Sequence, residues 1–294
     1  TFNGAILLGL PYIGFMIVFG IFPIIMALIF SFSKYGGYQP EYFKAGISNY
    51  ISIFTDKQLI VSFGNIFKFA IISMPVSFIG ALGIALVLNL ADDGLGRLMR
   101  TVYFIPGAIT MSAVALIAVF MFAPGVSPFG FLLKISGART AGDILNNNTL
   151  IPFLVIVRIL AFAGGRIAIF YGALTGINRE VIEAGLIDGC GPWSLAFHIK
   201  RPLVMGYVLF MVINLTIQSL QLFTEPFILQ TALLTSSPID PYWSPNMWSS
   251  FITVRTGDFG KSAVISLIML LISLVAAVFI ITRTGFFKTE VARQ

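Results

Sequence analysis

Six apolar runs dominate this chain, and each is long enough to cross a membrane. A hydrocarbon core of about 30 Å takes about 20 residues of helix. The runs 6–32, 62–90, 102–122, 150–174, 203–223 and 262–282 all reach that length. Lipid offers backbone polar groups no partner, so a spanning segment must satisfy them internally, and a helix does. One all-α integral membrane domain over residues 1–294, with six transmembrane helices, is therefore predicted. Of the 294 residues 10% are charged, against about 25% in soluble domains. The first run is too long for a signal peptide and lacks a small-residue cleavage site, so it is expected to stay in the mature protein.

Lysine and arginine density sets the orientation. Segments 91–100, 175–202 and 283–294 carry Arg97, Arg100, Arg179, Lys200, Arg201, Arg283, Lys288 and Arg293, eight in 50 residues. The alternating loops 33–60, 124–149 and 226–260 carry Lys34, Lys44, Lys57, Lys134, Arg139 and Arg255, six in 89. The denser side is predicted to be cytoplasmic, with the C-terminus on it, in a multi-pass protein of a cell membrane. The net charge of +6 is then mostly topology. No basic tract with interleaved aromatics suggests nucleic acid.

Segment 175–202 is the longest of the inner connections and longer than packed helices usually need. Arg179 to Asp188 has helical propensity, Gly189 and Gly191 break it as C-terminal caps do, and Pro192 suits the first turn of a second helix. Trp193, Phe197 and Ile199 give that second helix an apolar face. From composition alone, two short helices resting at the lipid interface fit as well as a docking element.

The spacing discriminates. Glu183-Ala184-Gly185, three residues, Gly189, nine residues, Ile199, one residue, Arg201 and Pro202 resembles the EAA loop of binding-protein-dependent ABC importer permeases, whose pattern is Glu-Ala-Ala, three, Gly, nine, Ile-x-Leu-Pro. Gly185 and Arg201 depart from the usual Ala and Leu, and Asn178 stands where a Pro is usual. FPIIMALIFSFSKY, ISNYISIFTD, RTVYFIPGAI, LQLFTEPFIL and GDFGKSAVISLIMLLIS follow in order and resemble the carbohydrate-uptake group, of maltose and glycerol-phosphate permease type. The resemblance implies a prokaryotic inner-membrane subunit working with a second permease, two cytoplasmic ATPases and an extracytoplasmic solute-binding protein. It implies that residues 175–202, between helices 4 and 5, couple to the ATPase through Glu183, Ala184, Asp188, Gly189, Ile199 and Pro202, with Trp193 and Phe197 anchoring the elbow. ATP and Mg would be used by the partner ATPases, and no cofactor is expected on this chain. The near match to a phosphate-binding loop, GDFGKS at 257–262, has Arg255 where the motif requires Gly.

Asn214, Gln218, Gln221 and Glu225 fall at offsets 0, 4, 7 and 11. At about 100° per residue they lie within about 60° on one helix face. Polar groups at this depth face a cavity or another helix; amides that both donate and accept suit a sugar, while hydrogen bonding to the second permease is the alternative. Glu225-Pro226 is expected to end or kink the fifth span near its outer mouth, as a gate or as the cap of a wet helix end. Arg158 is deep enough to face the path or pair with Glu225, whereas Arg166 is expected to snorkel to the inner interface. In the outer loop PIDPYWSPNMW (238–248), Tyr242, Trp243 and Trp248 form an interfacial belt or a docking surface.

These features predict a permease subunit for a sugar, oligosaccharide or related polyol. An ion-coupled transporter or channel using Arg158, Asn214 and Glu225 is the alternative. One Cys, one His and scattered acids offer neither a catalytic set nor a metal cluster.

Overall fold

In the computed structural model, residues 2–35, 39–90, 93–107, 109–135, 137, 139–233 and 238–284 are described. Lys288, Arg293 and the rest of the C-terminal segment lie outside them. Two compact units share the chain, 1–64 with 241–272, and 65–240 with 273–294.

The first unit starts with α1 (Phe2–Phe15), a π-helical turn (Met16–Ile21) and α2 (Phe22–Ser31). Its apolar side chains from Leu10 to Leu28 are widely exposed, as expected of a helix meeting lipid or another subunit. A short hairpin, β1 (Lys34–Tyr35) with β2 (Pro40–Glu41), leads to α3 (Ser48–Phe54). Asn49 ties these together: its Nδ2 donates to the carbonyls of Ser31 and Ser33, each at 2.9 Å. Those carbonyls belong to the end of α2, where a helix leaves acceptors unused. The unit closes with α15 (Pro245–Thr256) and the start of the last helix. Gly260 packs so tightly there that a Cβ would lie 2.6 Å from the Ser33 carbonyl oxygen. The aromatic outer loop is packed rather than presented. Trp243 is 1% exposed, and Trp248 donates to Asp56 Oδ2 at 2.8 Å while stacking on Phe251. For Trp243, core packing replaces both the belt and the docking reading.

The long α4 (Lys57–Leu90) leads into the second unit, which continues with α5 (Asp93–Gly107), α6 (Met111–Phe122), α7 (Gly130–Ile135), α8 (Ala141–Ile144) and α9 (Leu150–Thr175). After α9 come α10 (Arg179–Ile187), α11 (Pro192–Ser194), a π-helical turn (Leu195–Lys200), α12 (Arg201–Leu203), α13 (Met205–Leu220) and α14 (Thr224–Ala232). The last helix, α16 (Phe259–Thr284), ends in this unit. The core joins α4, α9 and α13 through Ala85, Ile167, Phe170, Leu174 and Leu215. Small residues such as Ala81, Ala85 and Ala163 let the backbones approach, which is how helices associate in lipid. Both π-helical turns stand two residues before a proline, Pro23 and Pro202. A proline ring displaces the carbonyl four residues back, and the wider turn accommodates it.

The apolar runs and the helices agree in place but not in straightness. Four described helical segments are long and apolar enough to cross a membrane, or up to six if each of two bent pairs is one span. The run 102–122 is not one straight helix: Thr101–Gly107 and Ser112–Phe122 meet at 96°. Pro106 and Gly107 end the first piece, and the Thr110 hydroxyl caps the second by accepting from Ala113 N–H at 3.4 Å. Helix α9 bends by 46° between Leu150–Ile159 and Ala163–Thr175.

Candidate functional site

The Gly-rich segment folds as a helix, a tight turn and a second helix. Asn178 starts α10 by accepting from Glu180 N–H at 3.1 Å, so a capping side chain does the work at the position where a Pro is usual. Gly189 ends it with φ +83°. Gly189 N–H bonds to the Leu186 carbonyl at 3.1 Å and Cys190 N–H to the Gly185 carbonyl at 3.0 Å. That pair of bonds is a Schellman motif, and its left-handed position favours glycine. Gly191 behaves differently from expectation. At φ −69° and ψ 167° it is the extended residue before α11, not a C-terminal cap, with Pro192 in the first turn.

Gly185 has a packing reason. A Cβ there would stand 2.5 Å from Ile199 Cδ1 and 3.1 Å from Leu195 Cδ1. The second helix crosses α10 at this point, and the departure from Ala admits it. Ile199 is half-buried beneath Gly185, while Glu183, Ala184, Asp188 and Pro202 are exposed. Glu183 accepts from Arg179 Nε at 2.8 Å, one turn apart on the surface.

The elbow's anchors differ from those expected. Trp193 is 64% exposed and Phe197 48%, stacked on each other with centroids 6.1 Å apart. Neither holds the elbow to the chain. Leu195 and Ala196 do, at 5% and 0% exposure, with Ala196 inside the core shared by α4, α9 and α13. Lys200 is buried too, and its Nζ donates to Asn89 Oδ1 on α4 at 2.5 Å. Burial pushes the Lys200 ammonium below its ordinary pKa. Meanwhile Leu186 and Ile187, at the tip of α10, are 53% and 86% exposed. Reading the pattern alone misses Leu186, Ile187, Lys200 and Asn89. The signal for the tip was available, since two aliphatics directly precede the Asp188-Gly189 turn.

The polar stripe of the fifth span divides into three. The helix stops: α13 ends at Leu220, Phe223 takes φ −142° and ψ −56°, and α14 restarts at Thr224. Pro226 therefore sits inside the first turn of α14, where its missing N–H costs nothing. Asn214 and Gln218 line a cavity of about 330 Å³ with Arg166, Gly165 and Phe210. Gln221, beyond the last turn of α13, donates to Ser273 Oγ on α16 at 3.3 Å.

Glu225 is neither at a wet end nor in that cavity. It is 5% exposed and accepts from Arg158 Nη2 at 3.4 Å. The break explains the arrangement. A helix end leaves its last carbonyls without intrahelical donors, and Arg158 Nη2 reaches the Gln218 carbonyl at 3.2 Å while Nη1 reaches Ser219 Oγ at 3.5 Å. A cation at the C-terminus of α13 and an anion in the first turn of α14 both complement the helix dipoles. Phe69 of α4 covers the guanidinium with its ring centroid 5.1 Å away. Arg158 and Glu225 are thus a paired buried cluster.

Arg166 does not snorkel. It lies nine residues before the end of α9, about 14 Å at 1.5 Å per residue, close to mid-membrane. It is 7% exposed, and among the described residues its Nη1 has no hydrogen-bond partner. No group of three or more His, Cys, Asp or Glu among the described residues is placed to hold a metal.

No family model matches the chain. Among curated proteins, it is 26% identical over 282 residues to a probable ABC transporter permease protein, YurN, of Bacillus subtilis, covering 93% of this chain and 92% of the relative. It is 28% identical over 218 residues to the lactose transport system permease protein LacF of Rhizobium radiobacter, covering 74% and 72%. It is 26% identical over 210 residues to the sn-glycerol-3-phosphate transport system permease protein UgpA of Yersinia pestis, covering 71% and 70%. Among solved structures, a bacterial ABC transporter involved in the import of the acidic polysaccharide alginate has a chain of the same fold, at TM-score 0.81 and 18% identity, covering 97% of this chain and 95% of that one. The loop pattern resembles that of ABC importer permeases, the fold is that of an alginate-importer chain, and the relatives this chain matches along most of their length are ABC transporter permeases.

Proposed function

We propose that this chain is the membrane subunit of an ATP-driven importer, forming with a second permease the path for a sugar, oligosaccharide or related polyol. The relatives named above support the solute class, as permeases of lactose and of sn-glycerol-3-phosphate. In this reading the two bent helix pairs each count as one crossing, giving six spans, and residues 175–202 face the cytoplasm. A separate pair of ATPase subunits binds ATP and Mg and does the hydrolysis; this chain transports. A solute-binding protein delivers from outside, and a solved complex of the alginate transporter with its ligand-bound periplasmic protein shares the fold at TM-score 0.79.

The observation that carries the coupling role is the two-sided construction of the elbow. One side, Leu186, Ile187, Trp193 and Phe197, is apolar and exposed; the other, Leu195, Ala196 and Lys200, is buried, with Ala196 in the core of α4, α9 and α13 and Lys200 on Asn89. An ATPase gripping the exposed side moves a body that cannot slide over the helices it is keyed to. Lys200 on Asn89 transmits displacement to α4, and Ala196 transmits it to α9 and α13. The cavity at Asn214 and Gln218 lies on the element so moved.

Proteoliposomes holding the chain with its second permease and ATPase test the reading. ATP-dependent solute uptake that ignores collapse of ion gradients is expected. Uptake driven by an ion gradient without ATP would instead favour the ion-coupled transporter.

A further inference from the structure

Among the described residues, no carboxylate pairs with Arg166 of the α9–α13 cavity. Arg166 lines it while 7% exposed, and Nη1 has no partner among the described residues. Neither α9 nor α13 contains an Asp or Glu. Glu225, which answers Arg158, is already committed to that pair. A buried cation without a counter-ion is costly in a membrane, and such residues usually face a cavity where a ligand or ion supplies the charge.

The rest of the lining fits an organic solute better than an inorganic ion. Asn214 and Gln218 stand one turn apart on α13 and bring amides that donate and accept. Phe210, another turn back and 48% exposed, offers an aromatic face. Gly165 beside Arg166 leaves open space, with nothing within 4 Å of where a Cβ would be. The volume of about 330 Å³ is at the lower end of small-molecule sites, about 300–1,000 Å³. A planar guanidinium with a free nitrogen matches the two oxygens of a carboxylate or phosphate.

We infer that this permease takes an anionic sugar, with Arg166 on its carboxylate or phosphate and Asn214 and Gln218 on its hydroxyls. This rests on the import reading and narrows its solute class.

The reconstituted importer is given four radiolabelled probes with ATP: a uronate disaccharide, its neutral methyl ester, a hexose phosphate and the free hexose. The charged member of at least one pair should enter faster than its neutral counterpart, and which pair responds distinguishes carboxylate from phosphate. Arg166→Gln should lower that charged uptake about 10- to 100-fold, the range for losing one charge-assisted hydrogen bond, and lower neutral uptake far less. Arg166→Lys should recover part of it. Removing an unmatched buried charge should also leave the thermal midpoint of the complex unchanged or higher, which no structural role for Arg166 would do. ATP-driven uptake with no charge preference, or Arg166→Gln releasing the second permease, overturns the inference while leaving the import reading intact. Uptake driven by an ion gradient without ATP, whichever probe enters, removes both.

Discussion

Replacing Glu225 with Gln keeps the shape of the buried cluster and deletes its negative charge. Arg158 would then remain as a cation at 4% exposure, held by the Gln218 carbonyl, Ser219 Oγ and the Phe69 ring. At the observed 3.4 Å, the lost attraction is about 5 kcal/mol gross for an effective dielectric of about 20. Breaking one side of a buried pair costs about 3–5 kcal/mol net. Glu225→Gln should fall near the lower figure because three contacts to Arg158 survive. Arg158→Met should fall near the upper, since it strands the Glu225 carboxylate and the Gln218 carbonyl together. The double variant Arg158→Met/Glu225→Leu removes both charges and should sit within about 1 kcal/mol of wild type, as apolar replacements of buried pairs commonly do. Unfolding free energies of the detergent-purified chain, followed by circular dichroism, give all three values. Single variants costing under about 1 kcal/mol, or a double variant as damaged as the sum of the singles, would refute the buried-pair argument.

Other consequences are as direct. Gly185→Ala sets a helix-propensity gain of about 1 kcal/mol against overpacking of about 1–3 kcal/mol, because its Cβ meets Ile199 Cδ1 at 2.5 Å; adding Ile199→Val should recover the loss, and identical losses with and without it would contradict the packing assignment. Asp143 receives the backbone N–H groups of Arg139 and Thr140, both at 2.8 Å, which hold its carboxyl below the usual range. A lowered folded pKa stabilises the fold above the ordinary carboxylate pKa of about 4 and loses that contribution as pH falls through the lowered value. Asp143→Asn should accordingly flatten the acid limb of stability against pH, and an unchanged limb would rule this cap out as its source.

The runs of hydrocarbon located the helices because lipid demands closed backbone hydrogen bonding at every depth. They did not locate the breaks. Pro226 marks one of them, since its ring crowds the Leu222 carbonyl and its missing N–H takes away that carbonyl's helical donor, but the tertiary partners that hold the interruption, Arg158 above all, are encoded by no local pattern. A stripe drawn on one ideal helix thus joined Asn214 and Gln218 to Gln221 and Glu225, which three different surroundings hold. Arg166 was misjudged through depth: counting residues from the run's end would have put it near mid-membrane. The elbow was the most legible part, since Gly189 and Pro192 fix backbone geometry directly. Its anchors were less so, because Trp193 and Phe197 look like core residues by type while Leu195, Ala196 and Lys200 occupy the buried face. Gly185 read as a departure from pattern until Ile199 was seen lying against it.

Co-purification of the ATPase with this chain in detergent tests the central claim most directly, using wild type, Gly189→Trp and Ile187→Asp. Gly189→Trp strains the φ +83° turn, and Ile187→Asp alters the exposed tip without touching the turn. Wild type should bring down the second permease and the ATPase together. Both variants should keep the second permease and lose most of the ATPase and its solute-stimulated hydrolysis. Full recovery of coupled ATPase with both variants would contradict the assignment of residues 175–202 as the coupling element.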